Sequence, residues 1–200
     1  MTKPELFICV YCGSGHGKNP NFSAAAKILG RDLAKAGLGL VYGGGSLGLM
    51  GIIARSTLDA RGYVTGIMPR FLIKREHMLK EINDLIITHT MHERKLKMFE
   101  RSAAFVALPG GIGTLEELVE QLTWAQLGQH KKPIILANIS NFWTPLLHLF
   151  QQMKDDAFIR RGLEVPFTIL QDPHEIVPTL LEQLKKAPPK KLLSSVFSKL

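Results

Sequence analysis

Residues Pro109-Gly110-Gly111-Ile112-Gly113-Thr114-Leu115-Glu116-Glu117 set a glycine-rich turn directly ahead of two carboxylates. Glycines clear side chains from a backbone that must approach a ligand, and Thr114 adds a hydroxyl where the first amides of a helix are unpaired. Such a turn is suited to an anion, phosphate above all. Glutamates in a first helical turn ordinarily serve the helix dipole for some tenths of a kcal/mol, which accounts for one of them but not for the glycines. Successive helical positions point about 100° apart, so only one of Glu116 and Glu117 can face the ligand. A carboxylate beside a phosphate cradle is repulsive without a cation. That cation is available in Met91-His92-Glu93-Arg94-Lys95, where Arg94 can grip a phosphate bidentately and Lys95 can act as a point charge. A solvated helix face is the plainer reading of that charge run; its place at the same sheet edge as the glycine turn favours a site.

Two further glycine loops are weaker signals. Gly13-Ser14-Gly15-His16-Gly17-Lys18 misses the phosphate-binding loop of ATPases, because Cys12 replaces the opening glycine and Asn19 stands where Ser or Thr would hold magnesium. Gly43-Gly44-Gly45-Ser46-Leu47-Gly48 satisfies G-x-G-x-x-G, but it follows the second predicted strand and lacks the acidic residue about 20 positions on that a dinucleotide site requires. Its glycines still predict close backbone approach to a phosphate or sugar. Cys9-Val10-Tyr11-Cys12 has redox spacing, yet Cys9 falls inside a predicted buried strand, which favours packing. His89 and His92 are spaced like metal ligands without a Cys or carboxylate cluster to complete a site. Trp124 and the Leu118–Leu122 stripe read as core.

These motifs punctuate an alternation of strands and helices. Short apolar runs at 6–11, 38–42, 63–68, 85–88, 104–108, 133–137 and 167–170 read as buried strands. Helical patterns occupy 19–36, 47–60, 91–102, 114–127, 143–158 and a last segment to 184, with an irregular stretch from 69 to 80. The pattern predicts an α/β fold, a Rossmann-like parallel sheet covered by helices on both faces. Ligands in such folds bind beyond the carboxyl ends of the strands, and three of those ends here are the glycine loops.

The chain has 200 residues, 46% apolar and 21% charged, enough to bury roughly 70% of its unfolded surface without staples. Two cysteines exclude a disulfide scaffold, no apolar run reaches the roughly 18 residues of a membrane span, and the N-terminus has no secretion-signal pattern. The expected compartment is cytoplasmic. The net charge of +8 includes five lysines within 185–200, leaving 20 basic against 17 acidic residues before them. The basic excess is therefore mostly a tail, and nucleic-acid binding is the less favoured use of it. The expected organisation is one catalytic domain over 1–184 and a basic tail over 185–200.

At Pro109–Glu117 together with Met91–Lys95 the sequence resembles the LONELY GUY (LOG) family, phosphoribohydrolases that release a base from cytokinin riboside 5′-monophosphates, many once labelled lysine decarboxylases. The resemblance spans roughly residues 6–184, including Cys12-Gly13-Ser14, residues 43–51 and Thr123-Trp124-Ala125-Gln126-Leu127-Gly128. It implies a homodimer with sites near its interface and no metal or organic cofactor. It makes Arg94 and Glu117 the catalytic pair. It places Lys95, Gly111 to Glu117 and Thr123 at substrate-binding positions, and aligns Glu76 with a substrate-binding glutamate. Gly110, Gly44, Gly45 and Ser14 complete the expected substrate contacts. Ile112 stands where many members carry Tyr or Phe, and Gly15 where Ser is common. The reaction expected is hydrolysis of the N-glycosidic bond of a purine riboside 5′-monophosphate, cytokinin-type or adenine. Arg94, Thr114 and the glycine amides would hold the phosphate, with Glu117 beside the sugar. Two alternatives are a nucleotide-sensing or carrier domain without turnover and a pyridoxal-dependent decarboxylase, for which no Schiff-base lysine frame is evident.

The tail carries five lysines, Pro188-Pro189 and no acid within 185–200, so it adds little to a core. Deleting residues 187–200 is expected to leave the melting temperature and monophosphate hydrolysis within about twofold of wild type. An unfolded or inactive truncation would show that Leu192–Phe197 packs on the body or on a partner copy.

Overall fold

The computed structural model describes residues 3–73, 77–160 and 162–186. Glu76 and residues 187–200 of the tail therefore lie outside the described residues. Seven strands, β1 (Phe7–Tyr11), β2 (Gly39–Tyr42), β3 (Val64–Pro69), β4 (Asp84–Thr88), β5 (Ala104–Ala107), β6 (Ile134–Ala137) and β7 (Thr168–Leu170), form one sheet in the order β4-β3-β2-β1-β5-β6-β7. Every pairing is parallel, as the continuous apolar runs require.

Period-two alternation divides the core. Ile8 and Val10 of β1 pack with α1 (Pro20–Lys35), α2 (Gly48–Asp59) and α6 (Ile176–Lys186) on one face. Phe7, Cys9 and Tyr11 point to the other, against α3 (Met91–Arg101), α4 (Ile112–Gln126) and α5 (Thr144–Asp155). Cys9 and Cys12 are both buried and free, and they join different clusters on opposite faces of the sheet. Packing thus accounts for both thiols. Leu118 and Leu122 are core, and Trp124 packs against the same cluster.

From β1 the chain steps outward through β2 and β3 to β4, then returns through α3 to β5 on the other side of β1. The loops after β1 and β5 therefore leave in opposite directions, and a crevice opens between them at the carboxyl edge. One backbone bond, Gly13 N–H to the Pro109 carbonyl at 3.1 Å, closes its floor.

The predicted elements are all present, with two boundary corrections that matter. The fourth helix starts at Ile112 rather than Thr114, which leaves no acidic residue in its first turn. Glu116 and Glu117 therefore cannot be serving as first-turn dipole partners. The last helix continues to Lys186, two residues past the expected end of the body at 184.

Helices α1 and α2 pack closely enough to need glycine at 30, where an added Cβ would stand 2.6 Å from the Ile53 carbonyl oxygen and 3.0 Å from Thr57 Oγ1. Helix propensity alone favours alanine here by about 1 kcal/mol. Crowding against a backbone oxygen opposes it by about 1–3 kcal/mol. The Gly30→Ala protein is expected to melt several degrees lower than wild type; a higher melting temperature would mean that propensity prevails.

Candidate active site

Helix α3 begins with a complete set of caps. Thr90 Oγ1 accepts the Glu93 N–H at 3.0 Å, and Glu93 Oε2 accepts the His89 N–H at 2.8 Å. That bond to the His89 amide is the main cause of the lowered pKa of Glu93. With its start fixed this way, α3 delivers Arg94 inward, where it is 8% exposed. Arg94 Nε donates to the Ile67 carbonyl of β3 at 3.0 Å, and Nη1 donates to Glu117 Oε1 at 2.5 Å. Glu117, on the second turn of α4, is 7% exposed. Burial raises its pKa, and the charge and hydrogen bond of Arg94 oppose that rise.

The neighbouring pair is arranged differently. Lys95 Nζ lies 2.5 Å from Glu116 Oε1 and 3.0 Å from Glu120 Oε1. Partial burial works against its charged form, but the hydrogen bonds from the two glutamates outweigh it and the pKa is raised. A Schiff-base lysine needs the opposite shift. Adjacent cations on α3 thus meet adjacent acids on α4. The buried pair faces the crevice side of the helix, and the other sits at its rim.

Among the helix starts around the crevice, α4 alone is open. Asn19 caps α1 by accepting the Asn21 N–H. The Leu49 and Met50 amides of α2 donate to the Gly13 carbonyl at 3.1 and 3.3 Å. The second glycine loop is therefore not the amide cradle its motif suggested, because the first loop's carbonyls already occupy that helix start. Gly44 and Gly45 serve another contact: the Gly44 carbonyl accepts the Leu79 N–H, Gly45 pairs with Met78, and Ser46 N–H donates to His77. Residues 77–79, which follow Glu76, are thereby clipped to the loop. At α4, by contrast, Gly111 gives no side-chain cap, and side chains added at Gly111 or Gly113 would meet open space. Thr114 is buried and its hydroxyl packs on Gly110, where an added Cβ would collide with it.

The structure brings Arg94, Glu117, Gly110 to Thr114 and the Gly13 backbone together. Ser14 is exposed at the crevice mouth, and Ile112 projects outward at 82% exposure. Leu115 is partly buried against the α3–α5 core. Thr123 is exposed, donates to the Val119 carbonyl at 2.8 Å, and lies on the same outward face as Glu116, not beside Glu117. Sequence reasoning missed Glu120, which its i,i+4 spacing from Glu116 could have revealed, and the Ile67 carbonyl, for which a main-chain atom leaves no signal.

An all-parallel sheet with an open glycine helix start and a buried carboxylate at its switch point defines an α/β protein built around an anionic ligand. A family described as "Possible lysine decarboxylase" matches residues 50–180. Cytokinin riboside 5′-monophosphate phosphoribohydrolase LOG5 of Arabidopsis thaliana is 43% identical over 173 residues, covering 86% of this chain and 76% of the relative. The enzyme LOG7 of the same plant is 44% identical over 152 residues, covering 76% and 70%. This chain belongs to the LOG family. In fold it is similar to the molybdenum cofactor binding protein of Rippkaea orientalis, with a TM-score of 0.68 at 24% identity over 91% of this chain and 98% of that one. The Moco carrier protein of Chlamydomonas reinhardtii gives 0.66 at 23% identity over 92% and 99%.

Removing Arg94 leaves the Glu117 carboxylate buried without its counter-ion, which ordinarily destabilises by about 3–5 kcal/mol. Glu117 has a folded-state pKa above its ordinary 4.5, so the folded form binds more protons than the unfolded form between those values. Stability therefore falls as pH rises through that window. For Arg94→Met, urea unfolding is expected to show the full loss at pH 8 and a smaller one at pH 5, where Glu117 takes up a proton. An equal loss at both values would show that Glu117 is not charged in the variant.

Proposed function

We propose that this chain is an enzyme that hydrolyses the N-glycosidic bond of a purine riboside 5′-monophosphate, cytokinin-type or adenine, releasing the free base and ribose 5-phosphate. The observation that carries the reading is the buried Glu117 carboxylate, aligned by Arg94, one helical turn from an uncapped glycine-rich helix start. Cleavage of a ribosyl C–N bond develops positive charge on the sugar, as in glycoside hydrolysis. Glu117 stabilises that charge or orients the attacking water from a site where little water screens it. The amides of Ile112, Gly113 and Thr114 receive the 5′-phosphate, whose binding energy fixes the sugar against the carboxylate. Arg94 spends two of its nitrogens on Ile67 and Glu117, so we assign it chiefly to orienting Glu117. Lys95 contributes positive potential at the rim.

We further propose that Glu76 and Ser14 line the ribose side and Ile112 the base side. Two copies would associate through the outward face of α4, where Ile112, Val119 and Leu127 are exposed in line with Thr123. The proposed compartment is the cytoplasm; no described helix is long and apolar enough to cross a membrane. The proposed catalytic unit is the body to 184, without cofactor or metal.

The test compares AMP with adenosine and measures free base. Charge-assisted hydrogen bonds contribute roughly 1.5–3 kcal/mol each, so losing two should lower kcat/KM for adenosine by about two to four powers of ten. Glu117→Gln is expected to lose at least about 100-fold in kcat while still binding the monophosphate. Equal cleavage of both substrates by wild type would sink the phosphate cradle.

A further inference from the structure

Gly43 follows β2 directly, is buried, and is not among the residues of positive φ. Its backbone would therefore accept any L-residue, unlike Gly44 at φ +83° or Gly48 at φ +57°. What excludes a side chain is space. A Cβ at Gly43 would stand 2.5 Å from Arg94 Nη2 and 2.9 Å from Met50 Sδ. With Nε on the Ile67 carbonyl and Nη1 on Glu117, all three guanidinium nitrogens are placed, the third against the bare Cα of Gly43. We infer that Gly43 is a positioning residue: its missing side chain is the seat that lets the Arg94 guanidinium lie flat enough to reach Glu117.

The geometry fixes what a methyl group there must do. A Cβ contact below 3.0 Å is not tolerated, so either Met50 or Arg94 must yield. Met50 is a flexible side chain and can move aside. Arg94 is held at two other points, so a shift of its third nitrogen tilts the whole planar group and opens the Glu117 contact. Displacements of about 1 Å in a catalytic constellation are enough to lower turnover about 100-fold. The phosphate cradle at Gly111–Thr114 belongs to a different loop and is left in place.

The charged and titratable groups around Glu117 are Arg94 and Lys95 from α3, Glu116 from its own helix, and Cys9, Tyr11 and Cys12 from β1 and its end. Burial raises the pKa of all three β1 groups, that of Cys9 to about 12, so at neutral pH the ionic neighbours of Glu117 are Arg94, Lys95 and Glu116. Opening the Arg94 contact withdraws the largest influence that holds the Glu117 pKa down. The Glu117 titration must then move to higher pH.

The inference rests on the proposed function for its kinetic consequence only, and the experiment separates the two. In the full chain, Gly43→Ala is compared with wild type by circular dichroism, by carboxyl-carbon NMR titration of Glu117 assigned with Glu117→Gln, and by kcat and KM on AMP. The expected result is a folded protein in which Glu117 titrates at higher pH, kcat falls about 10- to 100-fold, and KM stays within about threefold. An unmoved titration overturns the proposal, whether or not AMP is cleaved. A moved titration in an enzyme without turnover on any 5′-monophosphate keeps the seat and discards the hydrolase reading. Should Gly43→Ala not fold, Gly43→Ala with Met50→Ala is titrated against Met50→Ala alone, leaving only the guanidinium for the methyl to meet. The same upward shift is expected, and parity overturns the proposal.

Discussion

A carboxylate and a guanidinium buried together are the constraint around which this fold is arranged. Each ion loses several kcal/mol of hydration on burial, and their attraction offsets that loss only when the remaining donors and acceptors are also met. Four elements share the task. Helix α3 brings Arg94, α4 brings Glu117, β3 supplies the Ile67 carbonyl, and the end of β2 supplies empty space at Gly43. No two of these elements are adjacent in the chain except through the strand order, which carries the backbone out to β4 and returns it beside β1. The switch point is thus the place where such a pair can be assembled.

The same constraint explains the glycine loops better than their motifs do. The loop after β2 resembles a dinucleotide turn by pattern, yet its helix start is already satisfied by the carbonyl of Gly13. The loop after β1 supports that helix and lays its backbone against the loop after β5. Only the third loop keeps its amides for a ligand. Three similar stretches of sequence therefore have three tasks: one braces, one seats a cation, and one receives an anion.

Much of this was legible in the residues. Buried apolar runs give a parallel sheet because both of its faces must be covered, and Gly110 to Glu117 marks the anion site because it combines open backbone with a nearby acid. Arg94 was legible as the cation, but its partner was not: a charge run at a helix start looks alike whether it waits for phosphate or grips a carboxylate on the next helix. Lys95 with Glu116 and Glu120 shows the same limit. The start of α4 was placed two residues late, since Ile112 and Gly113 are weak helix formers and only tertiary packing recruits them. Whether a helix amide is free depends on which carbonyl lies opposite, and that is a property of the folded chain. The local pattern cannot contain it.

The open start of α4 has a thermodynamic meaning of its own. An ordinary cap strengthens a helix end by about 1 kcal/mol, and Gly111 forgoes that contribution. An anion seated on those amides supplies the missing cap, so occupancy and folding draw on the same hydrogen bonds. By linkage, the empty protein is the less stable one, and its stability rises with the logarithm of ligand concentration above the dissociation constant. The helix that carries Glu117 is therefore fully secured at its start only while there is something for Glu117 to act upon.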